Sequence, residues 1–315
     1  HGAAQTSVNL LDLHSDYFLD ALTTKFTSSD LYGLPIVDLY MPEKSQSTLQ
    51  SNIPINIKKW VPAYFRYPNG EYKDVKARYR GDNLFNWSYQ RKSYRVKLKK
   101  KNLINAKRVL NYTPLSKADT LTRYLPYFLG KQINLPTPDA RLVEFRLNGI
   151  THGVYLEYAS IDEGFLRRNN FMPVNIYKGE QFHTGRDQFK GVELFNNPAL
   201  WEKSAIFNQR ETENFDDIRA MISLIPASKS SEKKLSELSF IADTVEWAKF
   251  DAFQTLLQSW HNDDEHNMRL ISDVWKGKML PIVYEVISNI DPNQELVFEN
   301  PPHSLFKRFN ESSQF

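Results

Sequence analysis

The sequence contains no cysteine, which excludes a disulfide framework, a thiol nucleophile and any Cys-ligated zinc or iron–sulfur site. That absence leaves the compartment open. Long apolar runs are missing too. The best, from Met279 to Ile287, is interrupted by Glu285 and falls short of the roughly 18–20 residues a membrane-spanning helix needs. There is no G-x-x-x-x-G-K-[ST], no G-x-G-x-x-G and no H-E-x-x-H, so the P-loop, dinucleotide-fold and zincin readings fall away. Neither sign of charge dominates, because 40 Lys and Arg face 37 Asp and Glu. No internal repeat or low-complexity tract is visible. The chain starts at His1 rather than Met, as after removal of a leader or at a chosen boundary, and secretion stays open.

What is present is core material. Twenty Phe, 16 Tyr and 6 Trp in 315 residues argue against disorder and for one large domain or two lobes. The charge is unevenly placed. From Lys73 to Arg108 there are thirteen Lys and Arg against two Asp, a net +11 that leaves −8 for the rest. A basic N-terminal part and a more acidic C-terminal part suggest two regions with different duties.

The basic part reads as β-rich. Trp60 to Tyr67 and Tyr72 to Arg80 alternate apolar and polar residues around Pro68-Asn69-Gly70, a hairpin signal. Ser93 to Lys99 alternates again, with Tyr94, Val96 and Leu98 on one face and cations on the other. Ser116 to Ile133 has helical spacing, with Pro126 expected to kink or split it. A second hairpin is expected around Asn148-Gly149, and a short helix from Ile161 to Arg168. Further on, Phe215 to Leu224 and Val245 to Trp260 read as helices separated by a linker, Ser228 to Lys234. A strand pair, Met268 to Ser272 and Met279 to Val286, follows the polar run His261-Asn-Asp-Asp-Glu-His-Asn267. From Asp291 the chain reads as loop. This α+β layout, a β-rich N-lobe followed by a helical C-lobe, is that of a two-lobed protein-kinase-like fold, and other α+β proteins share it.

Three constellations offer chemistry. In the polar run, Asp263 stands four residues before Asn267, after a helix and before a strand. Phosphoryl transfer needs a carboxylate to orient the attacking hydroxyl and oxygen ligands for magnesium, and this spacing meets both needs. The same residue types also make ordinary polar turns at helix ends. His261 and His266 are five apart and do not share a helix face, so zinc ranks below a surface turn. Glu285 is a charge in an apolar strand, either a metal-type carboxylate or an edge-strand side chain facing water. Lys97, in Tyr-Arg-Val-Lys-Leu, resembles the strand lysine that a protein kinase aims at nucleotide phosphates. Arg80, beside Gly81, is a second phosphate candidate because guanidinium grips phosphate bidentately. For each cation the alternative is a solvated strand face. Nucleic-acid binding is set aside, since these cations alternate with core-type residues and no RNA-recognition signature occurs.

Together these residues resemble the spore-coat CotH kinase-like family, an atypical branch of the protein-kinase fold. Lys76-Ala-Arg-Tyr-Arg-Gly81 followed by Arg91-Lys-Ser-Tyr94 is similar to its "YRG…KKSY" opening. Leu147-Asn-Gly149, Gly153-Val-Tyr-Leu-Glu157, Ile161-Asp162 and Phe165-Leu166 resemble its "NG…GVYLE…D…L" segment. His266-Asn267-Met-Arg-Leu270 and Pro281-Ile-Val-Tyr-Glu285 stand where it has "HN..LY" and "IPWDYD". The resemblance implies phosphorylation of Ser or Thr on coat or secreted proteins, dependent on ATP and on Mg²⁺ or Mn²⁺. Carried over by position, it implies Asp263 as the catalytic residue and Asn267 and Glu285 as metal ligands, with Lys97, Arg80 and Glu157 expected to bind the nucleotide. It further implies an extracytoplasmic setting and a protein partner, and the lack of a long apolar run gives the expectation of no membrane span. The expected division is residues 1–35 as an extension, 36–158 as the N-lobe and 159–315 as a C-lobe cut short about 30 residues after Glu285.

The chain departs from the family pattern at three places. In strict register from His266-Asn267 the family's catalytic Asp falls on Asn262, so the catalytic position is Asn262, Asp263 or Asp264. The second Glu of "GVYLELE" is Ala159, and "WDYD" has become Tyr284-Glu285-Val286-Ile287. These changes keep open a second expectation, a catalytically inactive pseudokinase acting in surface or coat assembly.

Overall fold

The computed structural model describes residues 33–53, 58–68, 70–81, 86–87, 90–116, 119–181, 192–227, 231–259, 261–288, 290 and 293. Asn69 of the expected first turn, residues 228–230 of the expected linker, Trp260 and nearly all of the expected C-terminal loop lie outside them. Two compact units divide the chain. One holds the described residues up to Thr120 with Asp139–Ser160, the other Leu121–Pro138 and the described residues from Ile161 onward.

Alternation builds the first unit. Strand β1 (Ile36–Tyr40) is followed by helix α1 (Glu43–Gln50), then by β2 (Val61–Arg66), β3 (Tyr72–Tyr79), β4 (Tyr94–Leu98) and β5 (Val109–Pro114). Strands β6 (Ala140–Leu147) and β7 (Ile150–Ala159) complete it. In β2, Val61, Ala63 and Phe65 are buried while Pro62, Tyr64 and Arg66 are exposed, the period of two that gives a sheet one apolar face. Strand β4 buries Tyr94, Val96 and Leu98, as the sequence predicts. Between β6 and β7, Asn148 and Gly149 take φ of +53° and +83°, the two left-handed positions of a type I′ hairpin turn.

The seven strands close on themselves in the order β1-β2-β3-β4-β5-β7-β6. Neighbours are antiparallel except at the closure, where β1 runs parallel to β6 with Ile36 opposite Glu144. Phe145 anchors the interior, its ring 4.6 Å from Tyr155, 5.2 Å from Tyr112 and 5.4 Å from Tyr94. Offset and tilted ring pairs of this kind add to the stabilisation from buried area.

In the second unit, helix α2 (Asp119–Gln132) runs through Pro126 without a break, so the expected split does not occur. Helix α3 (Glu163–Arg168) is capped by Asp162, whose Oδ1 accepts from the Gly164 and Phe165 N–H groups at 3.0 and 3.2 Å. Strands β8 (Asn175–Gly179), β9 (Trp201–Ala205), β10 (Arg269–Asp273) and β11 (Lys278–Pro281) form a sheet in the order β11-β10-β8-β9. Helices α4 (Asp216–Ala227), α5 (Glu232–Ile241) and α6 (Thr244–Leu256) complete the unit. Helix α5 begins inside the expected linker, with the Ser231 hydroxyl as its N-cap. Apolar clusters lie on both sides of the sheet. Tyr177, Leu270 and Met279 pack with Trp247 and Phe250 on one side; Ile176, Ile271 and Leu280 pack with Phe165 on the other.

The expected two-lobed protein-kinase-like fold, with a β-rich N-lobe and a helical C-lobe, is therefore corrected. The first unit is a closed seven-stranded barrel, and the described residues hold eleven strands against six α-helices, with four of the strands in the second unit. Two physical reasons account for the difference. Closure depends on β1 pairing with β6 about a hundred residues later, which local periodicity does not report. Strand β8 is covered on both faces and so lacks the alternation that marks a half-buried strand.

Candidate functional site

The polar run between α6 and β10 is an ordered loop built around one carboxylate. Asp263 Oδ1 accepts from the Glu265 N–H and the His266 N–H, both at 2.8 Å, and lies 3.0 Å from His266 Nδ1. An Asx side chain caps its own turn in this way because a short acceptor reaches the N–H groups two and three residues on. Oδ2 accepts no hydrogen bond among the described residues, and the side chain is 30% exposed. Asp263 thus holds its loop with one oxygen and offers the other.

Neighbouring segments fasten the loop. The Leu194 N–H donates to Asp264 O at 2.6 Å and the Gln181 N–H to Glu265 O at 3.0 Å. Asn267 takes a left-handed φ of +58°, a conformation Asn tolerates better than most residues. Its Nδ2 donates to His261 O at 3.0 Å, while its Oδ1 accepts no hydrogen bond among the described residues. Asn262 links the loop to the stretch after β11, donating from Nδ2 to Asn267 O at 3.3 Å and to Tyr284 O at 3.0 Å. The structure therefore ties Asp263, Asn267 and the backbone beside Glu285 into one assembly. Glu285 has φ +51°, an uncommon position for a non-glycine residue that costs about 1–2 kcal/mol.

A carboxylate that the sequence reading missed belongs to this assembly. Glu180 Oε2 accepts the Asn267 N–H at 3.3 Å. Burial pushes the Glu180 carboxyl up, opposed by the Arg269 guanidinium and by that N–H. Arg269 in turn lies 4.3 Å from the centre of the Tyr284 ring. Position alone signals Glu180, because it directly follows β8, the strand paired with β10.

In the first unit the expected nucleotide-binding residues lie on two different faces of the barrel wall. Lys97 alternates with the core residues Val96 and Leu98, so it points outward, with Nζ 5.5 Å from the Trp60 ring centre. Arg80 also lies outside, its guanidinium 5.1 Å from the Tyr158 ring centre. Its N–H pairs with Ser93, four positions before Lys97, which separates the two cations by about 13 Å along the strand. Arg78 and Arg95, directly opposite one another, fill that interval. Arg78 stacks on Trp60 at 5.1 Å, and Arg95 Nε donates to Asn111 Oδ1 at 2.7 Å. Like charges facing each other across a ladder are unfavourable by themselves. Arg78-x-Arg80 and Arg95-x-Lys97 share the period of two expected of these alternating strands.

Glu157 lies inside the barrel. Its Oε1 accepts from Arg141 Nε at 2.9 Å and from the Tyr67 hydroxyl at 3.1 Å; its Oε2 accepts from the Tyr112 hydroxyl at 2.9 Å and from Arg141 Nη2 at 3.2 Å. Burial pushes the Tyr67 and Tyr112 hydroxyls up, and the adjacent Glu157 charge adds to the effect. The barrel wall separates Glu157 from Lys97 and Arg80.

A family model described as CotH kinase protein matches residues 77–285, about two thirds of the chain. The chain belongs to the CotH kinase protein family. No curated protein matches it. The CotH match runs from the cation face of the barrel through the Asp263 loop to Glu285. Several of the residues that signal CotH membership build the scaffold. Arg91 ties the end of β5 to the middle of β7, donating to Leu115 O at 2.9 Å and Val154 O at 2.6 Å, and Tyr94 packs in the barrel core. Among the described residues no helix is long and apolar enough to cross a membrane.

Proposed function

We propose that this CotH-family protein transfers the terminal phosphate of ATP to a Ser or Thr hydroxyl of a coat or secreted protein, in an extracytoplasmic setting. One match, residues 77–285, takes in both the outward cation face and the oxygen-bearing loop, and that observation carries the reading. Lys97 and Arg80, with Arg78 and Arg95, bind phosphate oxygens. Asn267 and Glu285 supply oxygen ligands. Asp263 Oδ2 takes the proton of the acceptor hydroxyl, while Oδ1 keeps the loop closed.

The donor set fits a hard cation of the Mg²⁺ or Mn²⁺ type. Asn267 Oδ1 is an oxygen atom with no hydrogen bond among the described residues, while Asn267 Nδ2 is held by the loop, and Glu285 adds a carboxylate. No three His, Cys, Asp or Glu side chains among the described residues are grouped to hold a metal by themselves. An ion that keeps waters and phosphate oxygens in its shell needs one or two protein oxygens. When bound, it would neutralise charge developing on the phosphate oxygens. Glu157 acts on the barrel, whose interior it links through Arg141, Tyr67 and Tyr112.

The test is calorimetric titration of ATP with Mg²⁺ and, separately, Mn²⁺, on the protein and on Glu285→Ala, followed by mass spectrometry for phosphoserine and phosphothreonine. Metal-dependent binding weakened by the substitution, together with phosphate transfer, is expected. No binding with either metal overturns the reading. A second reading, a CotH protein that binds partners in surface assembly without transfer, is favoured by one observation: the amide of Asn262 at the family's catalytic register. Intact folding with neither binding nor transfer would support it.

A further inference from the structure

Asn262 has 0% exposure within a loop whose other side chains are exposed or half-buried. Its two Nδ2 donations go to backbone carbonyls, Asn267 O at 3.3 Å and Tyr284 O at 3.0 Å. Those acceptors fix the amide's orientation, since the flipped amide would set its oxygen against two oxygens. Oδ1 accepts no hydrogen bond among the described residues, so the donating half of the side chain makes both links. The links also reach two unusual points of backbone. Asn267 itself is left-handed at φ +58°, and Tyr284 directly precedes Glu285 at φ +51°. One amide therefore bridges the loop to the stretch after β11 at the two places where proposed ligands leave the chain.

We infer that Asn262 is a positioning residue, an amide donor that locks the Asn267 and Glu285 backbones into one arrangement, so that the working carboxylate stands one residue later, at Asp263. The inference rests on the phosphotransfer reading for its use. A carboxylate at position 262 would face two carbonyl oxygens and have no proton to give them at neutral pH. The amide is thus demanded by its surroundings.

Hydrogen exchange followed by mass spectrometry tests this on the full chain, comparing the parent with Asn262→Asp and Asn262→Ala. Exchange over residues 261–268 and 282–288 is expected to rise together by about tenfold or more, with the barrel strands β4, β6 and β7 unchanged. The KM for the Mg²⁺–ATP complex is expected to rise by about tenfold, with kcat falling less. Exchange that changes in neither segment, or in one alone, overturns the inference. So does faster transfer by Asn262→Asp than by the parent, which would make position 262 the catalytic site. Asn262→Ser, which keeps a shorter donor, supplies the same exchange reading if Asn262→Asp does not fold. A parent protein without transfer whose two segments still loosen together upholds the clamp and removes the phosphotransfer reading.

Discussion

Arg141 and Glu157 meet inside the barrel on directly paired positions of β6 and β7, with Nε 2.9 Å from Oε1 and Nη2 3.2 Å from Oε2. The pair lies in one row of the sheet with Tyr112, whose hydroxyl completes the carboxylate shell. The "GVYLE" segment that signals CotH membership thus ends on a residue that ties the strands of its own barrel together.

Replacing Glu157 by Gln should lower stability by about 2–3 kcal/mol. Breaking a buried pair typically costs about 3–5 kcal/mol, and the smaller figure applies because Arg141 keeps 30% exposure and regains some hydration. Urea unfolding of the parent and of Glu157→Gln measures it. A change below about 0.5 kcal/mol would mean that the pair is not coupled to the barrel.

Asp263 holds its loop through Oδ1, and a pair of substitutions separates that task from the role in transfer proposed for Oδ2. Asp263→Asn keeps an oxygen able to accept the Glu265 and His266 N–H groups, so stability should change by less than about 1 kcal/mol. Phosphate transfer should nevertheless fall by about 100-fold or more, because the proposed base is lost. Asp263→Ala should lose transfer and loop order together. Transfer by Asp263→Asn at the parent's rate would remove Asp263 from the chemistry and leave it as a turn residue.

Features carried by neighbouring residues were legible in the sequence. The outward–inward alternation of Tyr94 to Leu98 and the Asn148-Gly149 turn each depend on residues a few positions apart. Barrel closure was not legible, because Ile36 pairs with Glu144 and nothing near Ile36 announces its partner. At the site, Asp263 and Asn267 stood out by residue type and spacing. The clamp by Asn262 did not, since both its acceptors are backbone carbonyls, which every residue carries. Glu157 was expected near the nucleotide. Its side of the sheet is set by its pairing with Tyr112, a long-range register that a short motif does not contain.

Stability should fall on mild acidification, through His152. Burial, with Arg91 and Lys92 nearby, lowers its pKa from 6.5 to about 4. The unfolded chain therefore takes up the proton first. His152 contributes stability fully above about pH 6.5, and that contribution is lost as pH falls from there through about 4. His152→Gln removes the titrating group, so the melting-temperature difference between parent and variant should shift in the parent's disfavour across this window. Parallel pH profiles for the two proteins would show that His152 is solvated like a free imidazole.

The two outward cations singled out by the sequence should answer differently to removal. Lys97 touches the Trp60 ring and lies on the outer face, so Lys97→Ala should leave the melting temperature nearly unchanged. Its effect should appear in Mg²⁺–ATP affinity, as a loss of about tenfold, the scale of one charge-assisted phosphate contact. Arg80 is 8% exposed and stacks on Tyr158, so Arg80→Ala should weaken ATP and also destabilise the barrel by about 1–2 kcal/mol. Calorimetric titration and thermal melts on the same preparations separate the two quantities. If Lys97→Ala binds ATP as the parent does while Arg80→Ala does not, the phosphate contacts lie at the Arg80 end of the cation face, with Arg78 and Arg95 next to be replaced.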